Sequence, residues 1–223
     1  LTAMIPIILL DNKIASVSKK NVVSWRKIGS AIHESISIPA VWMAGLLEML
    51  VYSIVYSLRA FLPLFIVSQT DGSILQAGLF FSIQEITHMA FRPIGAKIAD
   101  SKGYRLTIVL GMFLLAISLF SVEFFVGHSL LVLALFIGIG QGLIFPASVA
   151  LLAEEANKNY QGATMGVYGS LRNIGKVLGP VCAGFGLANY DFSIFFMALA
   201  VIILLTTIIV MLFWNILART DVL

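Results

Sequence analysis

Glu48, Glu85, Arg172 and Lys176 are the side chains with chemistry to do, because each falls deep within a long apolar run. An ionised group at the centre of a bilayer costs roughly 2.5–3.5 kcal/mol on insertion scales and is kept where it pairs or lines a pathway. Counting about 1.5 Å per residue from the run ends puts Glu48, Glu85 and Arg172 near mid-membrane, with Lys176 one helical turn further out. Arg172 and Lys176 are spaced i, i+4 and share one helix face. Gln84 and Glu85 precede His88 by four and three residues, giving a second helix a polar patch. The chemistry such a set supports is proton exchange. A carboxylate that loses its partner base in a dry site binds a proton more tightly. The expected arrangement has Glu48 and Glu85 facing a central cavity opposite Arg172 and Lys176. His88 either extends that relay or bonds locally to Gln84 or a backbone carbonyl. The same residues also fit a plainer role, as satisfied ion pairs that fix helix positions. Arg59 and Glu123 fall nearer the outer ends of their runs and are expected to reach the headgroups.

The elements that carry these groups are membrane spans. A hydrophobic fraction of 60%, 11% charged residues and a mean hydropathy of +1.01 exclude an ordinary soluble domain. Six stretches are long and apolar enough to span a bilayer: Ile38–Val67, Ser73–Ile94, Leu106–Val126, Ser129–Ala153, Gly162–Ala188 and Phe192–Trp214. Basic residues fall on alternate connections. Lys13, Lys19, Lys20, Arg26 and Lys27 precede the first stretch, Arg92, Lys97, Lys102 and Arg105 follow the second, Lys158 the fourth and Arg219 the sixth. The other connections carry none, which predicts cytoplasmic termini by the positive-inside rule. The expectation is an all-α membrane protein with a six-helix bundle over residues 38–216 and a cytoplasmic tail over 217–223. Residues 1–37 are then the end of a preceding helix plus a basic segment. In that segment Val22, Trp25, Ile28 and Ile32 recur at helical spacing, which fits a helix on the membrane surface or a flexible basic linker. The stub Leu1–Leu10 is too short to cross a bilayer, so the chain reads as a piece of a longer protein, cut near the end of a helix.

The spans differ in character. The sixth has no charge and is expected to face lipid. The fourth and fifth are rich in Gly, which lets membrane helices approach closely, and Pro146 and Pro180 interrupt their backbone bonding. Cys182, the single cysteine, cannot form an intrachain disulfide and is expected to be a small packing residue.

Two strings carry a family resemblance. After the second span, Arg92-Pro93-Ile94-Gly95-Ala96-Lys97-Ile98-Ala99-Asp100-Ser101-Lys102-Gly103-Tyr104-Arg105 resembles the cytoplasmic signature of the major facilitator superfamily. Ala99, Asp100, Gly103 and Arg105 match in register; Ala96 and Ser101 depart from it. In the fifth span Gly166, Gly175, Gly179-Pro180 and Gly184 resemble the antiporter motif of proton-coupled exporters in that superfamily, with Ala183 replacing one Gly. The fourth span keeps Gln141-Gly142 of a third motif but has Gly138 where the family's N-terminal halves place an Arg. The near-complete fifth-span motif fits the N-terminal half, but the degenerate loop, the absent Arg, the apolar stub and the basic segment upstream together favour the C-terminal half, helices seven to twelve, preceded by the central cytoplasmic loop.

The resemblance implies secondary transport of a small molecule by alternating access, as proton-coupled efflux. It also implies a second six-helix half, upstream in the same polypeptide or in another chain. Arg92, Asp100, Gly103 and Arg105 would form a cytoplasmic gating loop, and Gly166–Gly184 a deformable packing surface. A different class of function fits the same fold: a non-transporting scaffold that assembles with another membrane complex. The implied partners are membrane lipid, a small-molecule substrate and protons, with no nucleic acid, no cofactor and no metal. No phosphate-binding loop, zinc motif or nucleophile elbow points to enzyme chemistry.

Overall fold

In the computed structural model, residues 25–69, 72–125, 127–156 and 160–217 are described. The stub before Trp25, the tail after residue 217, and the charges Lys13, Lys19, Lys20, Lys158 and Arg219 lie outside them. The described residues form seven helices and no strand: α1 Trp25–Ile36, α2 Pro39–Gln69, α3 Ile74–Lys102, α4 Tyr104–Phe120, α5 Leu130–Glu155, α6 Gln161–Leu187 and α7 Phe192–Leu217. Two short 3₁₀ turns, Val122–Phe124 and Gly127–Ser129, join α4 to α5.

The segment before the first span is helical over the part described. Ser35 Oγ and Thr164 Oγ1 lie 3.1 Å apart and tie α1 to α6, while Trp42 Nε1 donates to the Ile36 carbonyl at 2.7 Å and fixes the corner into α2. Among the long helices, α2, α5 and α7 contain spans that are long and apolar enough to cross a membrane on length and composition alone. The polar residues of α3 and α6 dilute their apolarity, and α4 is apolar but only 17 residues long.

Two boundaries differ from expectation. Helix α3 continues two turns past Ile94, so most of the expected gating loop is helical. Pro93 is accommodated within it, and the break falls at Gly103, whose φ of +92° is strained for any residue with a side chain. Helix α4 stops at Phe120, short of Val126, and the chain turns over through Gly127 at φ +62°.

Glycine sets how the helices pair. A Cβ at Gly95 would collide with the Gly142 carbonyl, and one at Gly138 would lie 2.6 Å from the Gln84 carbonyl, so α3 and α5 touch backbone to backbone. Gly111 and Gly140 do the same for α4 on α5, and Gly175 and Gly179 for α6 on the Met49 and Ser53 carbonyls of α2. The extensive contacts are therefore α3 with α5, α5 with α4 and α4 with α7 in one group, and α2 with α6 in another. Helix α6 touches α5 and α7 only sparingly. Helix α2 closes the core: Val51, Leu58 and Leu62 are buried, and Phe65 meets Phe196 of α7 edge to face at 5.4 Å. The uncharged α7 alternates buried Phe196, Ile203 and Val210 with outward Leu205, Ile209 and Leu212, as a lipid-facing helix must.

Candidate functional site

Four helices each present one polar face to the same region. On α2, Glu48, Tyr52, Tyr56 and Arg59 recur at i, i+4, i+8 and i+11; on α3, Glu85, His88 and Arg92 at i, i+3 and i+7. Helix α5 brings Gln141 and Phe145, and α6 brings Tyr168, Arg172 and Lys176, again at helical spacing. Part of the apolar remainder of each helix is buried in the core, and part faces outward, such as Ile86 and Met89 on α3 and Val177 and Val181 on α6.

The centre is Glu48. Its residue exposure is 1%, and neither carboxylate oxygen makes a hydrogen bond. Arg172 is the dominant charge acting on it, with Arg92 and Lys176 further contributors, and the Tyr168 hydroxyl faces it from α6. Arg172 is held on rings: its Cζ lies 5.5 Å from the Tyr52 centroid, 5.5 Å from Phe145 and 5.7 Å from Tyr168. Lys176 Nζ sits 5.2 Å from Tyr52 and 5.6 Å from Tyr56. Cation–ring contacts are worth about 2 kcal/mol or more once desolvated, and they hold a base in place without neutralising it.

The pairing departs from the expected one. Glu85 forms its ion pair with Arg59, not with Arg172. Arg59 does not reach for the headgroups; it lies over Tyr56, with its Cζ 4.9 Å from the centroid, and bonds across to α3. A long guanidinium side chain covers more than a helical turn, which a count along the axis ignores. His88 bonds neither Gln84 nor a backbone carbonyl. Its Nε2 accepts from Arg92 Nε at 3.3 Å, and its Nδ1 lies 3.5 Å from Glu85 Oε2. Gln84 is buried where α3 packs on α5, with Nε2 unbonded. Glu85 and Arg172 are not partners. They belong to one chain of contacts that runs Glu85, Arg59, Tyr56, Lys176, Tyr52, Arg172.

The expected gating residues separate. Arg92 belongs to the interior set, its Cζ 4.7 Å from the Phe145 centroid. Asp100 is exposed at the end of α3, Gly103 makes the break, and Arg105 donates to the Met211 carbonyl of α7, within this bundle. Of the expected packing residues, Gly175 and Gly179 touch α2 closely, and Gly184 has only Phe61 at 3.7 Å from an added Cβ. Pro180 lies between them on α6. A Cβ at Gly166 would meet nothing within 4 Å, so Gly166 packs on no other described residue. Cys182 is exposed, not packed. The aromatic residues Tyr52, Tyr56, Phe145 and Tyr168 were not singled out by the sequence reading. Tyr52 and Tyr56 follow Glu48 by four and eight residues, and Tyr168 precedes Arg172 and Lys176 by four and eight, which is the signal that finds them; Phe145, on α5, carries no such signal.

Fold and site together define an all-α membrane bundle with its ionisable residues gathered among facing helices. Residues 41–221 match the family model of the Major Facilitator Superfamily, and the chain belongs to that superfamily. It is 29% identical over 187 residues to YuxJ of Bacillus subtilis (strain 168), called an uncharacterized MFS-type transporter, covering 81% of this chain and 45% of that protein. It is 31% identical over 111 residues to the quinolone resistance protein NorA of Staphylococcus aureus (strain MRSA252), covering 48% of this chain and 28% of that protein. The chain thus spans less than half the length of these relatives.

Proposed function

We propose that this chain is one six-helix half of a secondary transporter that exports a small molecule in exchange for protons. The observation that carries the reading is Glu48, a buried carboxylate with no hydrogen bond, faced by an arginine that rings hold in place and that forms no close ion pair among the described residues. Such a group changes charge when its surroundings move, and alternating exposure of a midplane site moves them. Glu48 is the proton carrier in this scheme, and Arg172 its movable counter-charge. Lys176, His88 and the Arg59–Glu85 pair line the route between Glu48 and the second half. That half is either upstream in the same polypeptide or another chain. Efflux as the direction is supported by the name of the NorA relative and by the Gly-Pro pattern of α6. The buried Gly175 and Gly179 hold α6 close on α2, and Pro180 gives α6 a place to bend.

The test is reconstitution of the complete polypeptide in vesicles with an imposed proton gradient. Glu48→Gln should abolish gradient-driven flux while leaving substrate exchange at equal pH. Arg172→Ala should lower both at least tenfold. Gradient-driven flux that survives Glu48→Gln would reject Glu48 as the proton carrier.

A further inference from the structure

Packing around Glu48 leaves one small space between α2, α3 and α5. It measures about 10 Å³, and Glu48, Tyr52, His88, Gln141 and Phe145 line it. That is near the smallest volume that accommodates one water molecule, which also needs two to four polar partners. The residues on this wall bring four. Both carboxylate oxygens of Glu48, Nε2 of Gln141 and Nδ1 of His88 are buried without a hydrogen bond.

Their chemistry is complementary. Gln141 Nε2 is a donor only. Because His88 Nε2 accepts from Arg92, the neutral ring carries its hydrogen on Nδ1 and donates there. Ionised Glu48 only accepts. We propose that this cavity is a water site that solvates the ionised Glu48 carboxylate, with Gln141 as the residue that positions the water. Glu85 Oε2 lies 3.5 Å from His88 Nδ1 but makes no hydrogen bond with it, so the water accepts from Gln141 and His88 and donates its two hydrogens to Glu48.

The functional consequence rests on the proton-coupled reading above. When Glu48 takes up a proton, its new O–H needs an acceptor, and both lone pairs of the water are already engaged. One donor must let go, so the protonated state is held less firmly to α3 or α5. The other titratable and charged groups around Glu48 are Arg172, Lys176 and Tyr168 from α6, Arg92 from α3 and Tyr52 from its own helix. Of these only Tyr52 lines the cavity, and the Tyr168 hydroxyl faces the carboxylate from α6, outside it.

Two measurements on the complete polypeptide in lipid decide this. An experimental structure fine enough to show ordered water should place density within hydrogen-bonding distance of Glu48, Gln141 and His88. In proton-driven flux, Gln141→Met keeps the volume and deletes the donor. It should raise the pH of half-maximal flux by about one unit, because the ionised form loses a polarised water while the protonated form gains the lone pair that Gln141 vacates for its O–H. Absence of density in the wild type, or an unchanged pH profile in a folded variant, overturns the water site. Wild-type flux indifferent to pH overturns the proton-coupled reading instead, and the density then decides the site alone.

Discussion

Adding a single methyl group to α6 should have opposite effects at Gly166 and at Gly175 or Gly179, which follow it by nine and thirteen residues. At Gly179 a Cβ would lie 2.7 Å from both the carbonyl carbon and the Cα of Ser53, and closer still to the carbonyl oxygen. Ordinary contact begins near 3.4 Å, so at least about 0.7 Å must be found between two backbones, neither of which has a rotamer to change. Gly175 meets the Met49 backbone the same way. Moving α6 off α2 by that amount forfeits a quarter to a half of each dispersion contact along the shared face. Overpacking costs typically 1–3 kcal/mol, and a clash with backbone belongs at the top of that range. We therefore expect Gly175→Ala and Gly179→Ala each to destabilise the bundle by about 3 kcal/mol, roughly a hundredfold in the folding equilibrium. At Gly166 the same methyl meets nothing, and Ala in a helix is favoured over Gly by about 1 kcal/mol. Gly166→Ala should be neutral or stabilising. Thermal unfolding of the purified variants in one detergent reads the difference directly. If all three variants shift in the same direction by similar amounts, the close approach of α6 to α2 is not what holds these helices together.

Two smaller effects follow from the polar contacts. Arg59→Glu or Glu85→Arg alone should lower thermal stability and the double exchange should restore most of it; with both side chains partly exposed, the coupling in a double-mutant cycle should be about 1 kcal/mol. Arg105→Gln should cost roughly 1 kcal/mol by releasing α4 from the Met211 carbonyl, and protease nicking near the start of α4 in mild detergent should rise accordingly.

Hydropathy alone points to the six long helices and most of their ends, because lipid imposes a length and an apolarity that few other environments require. It failed where helix and loop chemistry overlap. Residues Ala96 to Lys102 are good helix formers that also resemble a family loop signature, and the helix wins until Gly103. The depth of Glu48, Glu85 and Arg172 was legible as position along a rod. Their partners were not, since pairing depends on how far each helix is rotated and how far a side chain reaches. Arg59 spans to α3 from a position that reads as peripheral, and Tyr52, Phe145 and Tyr168 look like core in any composition-based scan. The glycines show the same limit: Gly166 and Gly175 carry identical local signals, and only the packed structure separates the one that bears on a backbone from the one that does not.

The uneven pairing of the helices gives the bundle a fault line. Helices α3, α4, α5 and α7 interlock, α2 and α6 pair most extensively with each other, and the Arg59–Glu85 ion pair and the Arg172–Phe145 cation–ring contact run between the two sets. Charged side chains thus add to the apolar core that α2 shares with the other helices. If Glu48 carries the proton as proposed, a single ionisation acts beside these crossing contacts, and its effect is a tilt of the α2–α6 pair against the other four helices.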